Sequence, residues 1–128
     1  MSGEALLIVD HGSRQPEANA GLEQLAALVR QLRPDLAVEI AHMSLAQPDL
    51  AAGFERCVRD GATKVVVHHY MLSPGIHALE DIPRLAAECA ARHPGVTFQV
   101  TPPLGLHRRI AEVVLERAGL AGTQAVGR

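Results

Sequence analysis

Aromatic side chains are nearly absent from this chain, which has no tryptophan, one tyrosine and two phenylalanines in 128 residues. Nucleic-acid surfaces rely on stacking platforms and clustered basic charge. Here 12 basic residues are outnumbered by 14 acidic ones, for a net charge of −2, so no nucleic-acid partner is expected. Cysteine is equally scarce. Cys57 and Cys89 stand far apart with no Cys-x-x-Cys pair, which argues against a disulfide framework or a zinc site and for two reduced, buried small hydrophobes. Long hydrophobic runs are also missing, since none approaches the roughly 20 residues of a membrane span. The N-terminus leads straight into a strand-like run, without the basic stretch and apolar core of a signal segment. These absences predict a cytoplasmic protein with no membrane association.

What the chain does have is a regular alternation of short apolar runs and longer amphipathic ones. Ala5–Val9, Ala37–Ala41, Lys64–His68 and Val96–Val100 have strand length and are rich in valine and isoleucine, the pattern of buried parallel strands. Between and after them come helical spacings: Leu22, Leu25, Leu28, Val29 and Leu32; Leu50, Phe54, Cys57 and Val58; Ile82, Leu85, Ala86 and Cys89; Ile110, Val113 and Val114. Punctuation agrees. Pro16 and Pro48 suit first helical turns, Pro34 and Pro94 follow helix ends, and Gly61 suits a C-terminal cap. Pro83 leaves two starts open for the third helix, near His77 or near Asp81. The βαβαβαβα order predicts one flavodoxin-like α/β domain over residues 1–120, a four-stranded parallel sheet with helices on both faces. Residues 121–128 are small and polar, and a flexible tail is expected there.

The chemistry-bearing residues gather at predicted strand ends. His11 closes the first apolar run and is followed by Gly12, a position at the carboxyl edge of the sheet, where open α/β sheets bind ligands. His42 and His69 fall at or just past the second and third strand ends, and His77 follows the Ser73-Pro74-Gly75-Ile76 turn. Four imidazoles are thus expected to face one cleft, a donor type suited to divalent cobalt, nickel, iron and zinc. His93 and His107 read as surface residues. Arg14, beside the start of the first helix, is a candidate anchor for a carboxylate or phosphate. Ser13, Ser44, Gln47, Ser73 and Glu80 crowd the same edge, and Asp81 reads as helix-start chemistry.

Four stretches together carry a resemblance: Val9-Asp10-His11-Gly12-Ser13-Arg14; Ala41-His42-Met43-Ser44-Leu45-Ala46-Gln47-Pro48; Tyr70-Met71-Leu72-Ser73-Pro74-Gly75-Ile76-His77 with Asp81-Ile82-Pro83; and Pro102-Pro103-Leu104-Gly105. In this order, from about Leu6 to Ala118, they resemble the small CbiX-type sirohydrochlorin chelatases. The resemblance implies insertion of Co²⁺, Ni²⁺ or Fe²⁺ into sirohydrochlorin, a tetrapyrrole bearing eight carboxylates, with cobalt and cobalamin biosynthesis the leading expectation. It implies no organic cofactor, the metal being a substrate, and a homodimer. It makes His11 and His77 the catalytic, metal-handling pair, with His42 and His69 as candidate further ligands. Ser13, Arg14, Ser73, Gly75 and Ile76 would hold the macrocycle. Imidazole suits the task because, with a pKa near 6.5, it can ligate an ion or accept a pyrrole proton.

The chain departs from that pattern at four places. Ser44 and Gln47 stand where relatives carry glutamates, His69 where proline is frequent, and Ile76 where arginine is common. Fewer carboxylates and more imidazole favour cobalt or nickel. Two other classes share the same residues. One is a metal or tetrapyrrole carrier without turnover. The other is a phosphatase with His11 as nucleophile, which Asp10 disfavours by repelling phosphate.

Overall fold

A computed structural model describes residues 3–122. The central strand β1 (Glu4–Asp10) pairs in parallel with β2 (Ala37–His42) on one side and β3 (Lys64–His69) on the other. The short β4 (Thr97–Val100) adds to β3, giving the order β2-β1-β3-β4, all parallel. This is the flavodoxin-like winding expected from the alternation. Its switch point lies between β1 and β3, so the β1 end carrying His11 opens where the crossovers diverge.

Alternation along the strands sorts the core into two layers. Leu7, Val9, Ala41, Val65 and Val67 face α2 (Leu50–Arg59) and α3 (Ile76–Ala91), and they pack with Phe54, Cys57, Ile82 and Ala86. Ile8, Val38 and Ile40 face α1 (Pro16–Leu32) through Leu22 and Ala26. Gly53 brings α2 close to the sheet. A Cβ there would stand 2.8 Å from Leu7 and 2.9 Å from the Ile40 carbonyl, closer than such atoms approach. Burial accounts for both cysteines as expected, raising the Cys57 thiol to about 12 and shifting Cys89 upward too. On the edge strand β2, the Arg30 guanidinium donates to the Val38 carbonyl at 2.7 Å, occupying an acceptor that would otherwise face a pairing strand.

The helix boundaries correct several expectations. Pro16 does open α1, but Pro48 precedes the α2 cap, which is Asp49 accepting from the Ala52 N–H at 2.9 Å. Asp60 is the last half-helical residue of α2, and Gly61 follows at φ +98°, the glycine-favoured conformation beyond a helix end. The third helix starts at Ile76, so Pro83 lies inside α3. Asp81 is therefore too far along to act on the helix start, and it pairs with Arg84 at 3.3 Å. His107, read as a plain surface residue, accepts from the Arg109 N–H at 3.0 Å and opens α4 (Arg108–Ala118). Two elements are less buried than their sequences suggest. Thr97, Phe98 and Gln99 of β4 are exposed, and α4 buries none of its residues. Among the described residues no helix is long and apolar enough to cross a membrane. The expected tail lies, from residue 123 onward, outside the described residues.

Candidate functional site

The carboxyl ends of β1, β2 and β3 form the site. His11 follows the last residue of β1 and is exposed, with no side-chain hydrogen bond among the described residues. Its backbone is held firmly. The Ser44 N–H and the Ser44 hydroxyl both donate to the His11 carbonyl, at 3.1 and 3.3 Å, and the Met43 N–H donates to the Asp10 carbonyl at 2.8 Å. Ser44, expected to matter as a missing carboxylate, thus has a positive part in fixing the His11 loop. Gly12 permits this closeness. Its φ is +86°, and a Cβ there would lie 1.8 Å from the Ser44 carbonyl oxygen.

The four histidines do not converge in one cleft, and the physical reason is strand parity. His42 is in register with Asp10, on the α1 face, and its Nδ1 donates to Asp10 Oδ1 at 2.7 Å with the ring 2% exposed. His69 is in register with Val9, one residue out of phase, and so lies on the α2–α3 face. There it is 1% exposed, and its Nε2 has no hydrogen-bond partner. Burial, followed by the positive charge that His11 and His68 can carry, pushes the His69 pKa below its ordinary value. His69 therefore favours the neutral ring, with a free nitrogen near His11. His77 sits exposed in the first turn of α3, without a side-chain partner among the described residues. Among those residues no three His, Cys, Asp or Glu side chains are grouped to hold a metal ion.

The remaining site residues are arranged around these rings. Ser13 is clasped by Asn19, whose amide donates to the Ser13 carbonyl at 2.7 Å and whose oxygen accepts from the Ser13 N–H at 3.0 Å. The Ser13 hydroxyl accepts from the Gln15 N–H at 3.0 Å. Asn19 was not legible as a site residue, although an asparagine one turn into the helix after His-Gly-Ser is a fair candidate for such a clasp. Arg14 is exposed without an ion-pair partner among the described residues, and Ser73, Gly75 and Ile76 form an exposed rim ahead of α3. Gln47 accepts from the Asp49 N–H at 3.1 Å and so supports the α2 cap. Sequence reading also missed His68. On the α1 face its Nδ1 donates to Thr101 Oγ1 at 2.8 Å, and Thr101 in turn donates to the Pro102 carbonyl at 3.0 Å.

Known proteins are similar to this chain in sequence and in fold. The chloroplastic sirohydrochlorin ferrochelatase of Arabidopsis thaliana is 40% identical over 114 residues, 89% of this chain and 51% of that protein. The solved structure of the sirohydrochlorin chelatase SirB from Bacillus subtilis subspecies spizizenii in complex with cobalt superposes with a TM-score of 0.82 at 30% identity, covering 91% of this chain and 50% of that one. The CbiX protein of Marinobacter aquaeolei VT8 gives a TM-score of 0.76 at 26% identity, covering 91% of this chain and 94% of that one. This chain thus spans about half the length of the Arabidopsis protein and of the SirB chain. The CbiX family profile matches residues 5–121, all of the sheet but its first residue, together with the His11 and His77 loops. With that span and the doubly wound sheet on which both loops are carried, the chain belongs to the CbiX family.

Proposed function

We propose that this chain inserts a divalent metal ion into sirohydrochlorin, with Co²⁺ the preferred ion and cobalamin-type biosynthesis its setting. The observation carrying this reading is the pair at the sheet edge: an exposed, unpartnered His11 beside a neutral His69 whose buried Nε2 has no partner. His11 and His77 bind the ion and take the two pyrrole protons released as the metal–nitrogen bonds form. His69, buried beneath them, would add a third imidazole only on a rearrangement of the loops, because among the described residues no three such side chains are grouped to hold an ion. Two exposed imidazoles that are not locked into a closed set can release the ion to the macrocycle, whereas a complete cage would retain it. The change from glutamate to Ser44 leaves nitrogen as the dominant donor, which supports cobalt over harder ions. His42, committed to Asp10, is left out of the ligand set and supports the loop instead. The free Arg14 cation, Ser13 and the Ser73–Ile76 rim would hold the substrate's carboxylates. Chains of this length would act as homodimers.

An absorbance time course with purified protein, sirohydrochlorin and Co²⁺, Ni²⁺ or Fe²⁺ in turn tests the reading, alongside His11→Ala and His77→Ala. Multiple turnovers that fall in both variants support it. Binding of metal or tetrapyrrole with no rate above the uncatalysed control makes the chain a carrier and overturns it.

A further inference from the structure

Every peptide plane between His11 and Gln15 is held by a hydrogen bond. The Ser44 N–H and hydroxyl hold the first through the His11 carbonyl, at 3.1 and 3.3 Å. The second and third belong to one side chain, since the Asn19 carboxamide accepts from the Ser13 N–H at 3.0 Å and donates to the Ser13 carbonyl at 2.7 Å. The Ser13 hydroxyl holds the last by accepting from the Gln15 N–H at 3.0 Å. The side chains are the reverse of the backbone. His11 and Arg14 are both exposed, and neither has a side-chain partner among the described residues. Loops are ordinarily the mobile parts of a fold, yet this one is fixed along its backbone and leaves free only an imidazole and a guanidinium.

Asn19 has no part in holding α1 together. It lies one turn into that helix, where asparagine is a poorer helix former than alanine, and both of its side-chain bonds leave the helix for the loop. We infer that Asn19 is a positioning residue for the candidate site: by fixing the peptide planes on both sides of Ser13 it sets where Arg14 carries its guanidinium, and so governs capture of the substrate's carboxylates. This rests on the tetrapyrrole-binding reading of the site. Gly12 makes the clasp necessary. It stands at φ +86° between the plane held by Ser44 and the first plane held by Asn19, and a glycine turns freely there unless both sides are anchored. Without Asn19 the segment after Gly12 must be ordered when the substrate binds, at a cost in backbone entropy. His11 stands apart from this. Its carbonyl is held by Ser44, and the Asp10 carbonyl before it by the Met43 N–H, so its place survives the loss of Asn19. The two anchors thus divide the loop, Ser44 serving the metal-binding imidazole and Asn19 the carboxylate-binding cation.

Asn19→Ala tests this in the full chain, beside Arg14→Ala and the double variant, with sirohydrochlorin titrated in the absence of metal and Co²⁺ titrated in the absence of tetrapyrrole. Alanine is the better helix former, so α1 is not weakened by the change. Asn19→Ala should weaken sirohydrochlorin binding about 3- to 10-fold, the scale of one or two lost hydrogen bonds, with Co²⁺ affinity and far-ultraviolet circular dichroism unchanged. In the Arg14→Ala background the same substitution should weaken it no further, because the group that Asn19 positions is gone. Amide hydrogen exchange should quicken at Ser13 while α1 keeps its protection. A loss that adds in full to that of Arg14→Ala overturns the role. So does Co²⁺ affinity that falls in step with sirohydrochlorin affinity, which would make Asn19 a support of the whole edge. A wild type that binds sirohydrochlorin no better than Asn19→Ala does removes only Asn19, whereas a wild type that binds none at all overturns the proposed function and this role with it.

Discussion

His42 Nδ1 donates to Asp10 Oδ1 at 2.7 Å, tying the last residue of β2 to the last residue of β1 directly beneath the His11 loop. The imidazole is buried and the carboxylate partly exposed, so the pair is a buried donor satisfied by an acceptor that keeps some hydration. His42→Phe retains the bulk and removes the donor, leaving Asp10 facing an apolar ring. The expected cost is about 1–3 kcal/mol in urea unfolding. Asp10→Asn, which keeps an acceptor oxygen, should cost less. No loss in His42→Phe would mean that ring volume, not the hydrogen bond, holds the strand ends together.

Gly12 turns the same loop, and the obstruction to a side chain there is backbone rather than a movable group. Gly12→Ala must move either the Ser44 carbonyl, 1.8 Å from the new Cβ, or the residue itself out of φ +86°. Because Ser44 holds the His11 carbonyl, the displacement passes to His11. Thermal unfolding should show a loss of about 1–3 kcal/mol, and metal insertion should fall further than that stability change alone requires. A variant with wild-type turnover would show that the His11 position does not depend on this loop.

The fold and the site differ in how much of them the sequence makes legible. That the sheet is parallel and doubly wound follows from the alternation of apolar runs, because parallel βαβ units leave few topologies and a buried strand must be apolar on both faces. Burial of β4 and α4 does not follow. Val100, Val113 and Val114 carry the same apolar signal as Val65 and Val67, and periodicity shows that a face will be covered without showing whether its own chain covers it. At the site, His11 is legible because a histidine at a strand end followed by glycine has one place to go. The separation of His42 from His69 turns on parity. One residue of strand length decides which face a side chain takes, and strand ends are the least certain part of any pattern. The Asn19 clasp and the His68–Thr101 bond join residues whose neighbourhood appears only once the sheet is assembled.

Far from the site, Glu39 on β2 offers a test at the other end of the molecule. Burial, then the hydrogen-bonded carboxyl of Asp60, raises its pKa, against the weaker pull of Arg30 and Arg56. A carboxyl whose folded pKa exceeds its unfolded value of about 4.3 destabilises the fold once pH rises through that interval, because the unfolded chain releases the proton first. Glu39→Gln removes this penalty. Melting temperatures of the variant and wild type should coincide near pH 4 and diverge in favour of the variant toward neutral pH. A variant less stable at neutral pH would show that the charged form makes a favourable contact with the arginines.

His69 separates structural from chemical demands most directly, since its Nε2 is buried without a partner and its ring favours the neutral state. A histidine whose folded pKa lies below its unfolded value costs stability as pH falls below about 6.5, where the unfolded chain takes up a proton that the fold resists. His69→Leu replaces the ring with an apolar group of comparable size. It should be at least as stable as wild type at pH 8, and should lose less stability between pH 7 and pH 5. If the free nitrogen serves the metal, the same substitution weakens Co²⁺ binding by calorimetric titration by about 10-fold or more, equivalent to about 1.4 kcal/mol. Higher stability with weaker binding would mark His69 as a residue kept for its chemistry at the expense of the fold. Lower stability at pH 8, or unchanged Co²⁺ affinity, would remove it from the ligand set and leave His11 and His77 to hold the ion together with the substrate's own nitrogens.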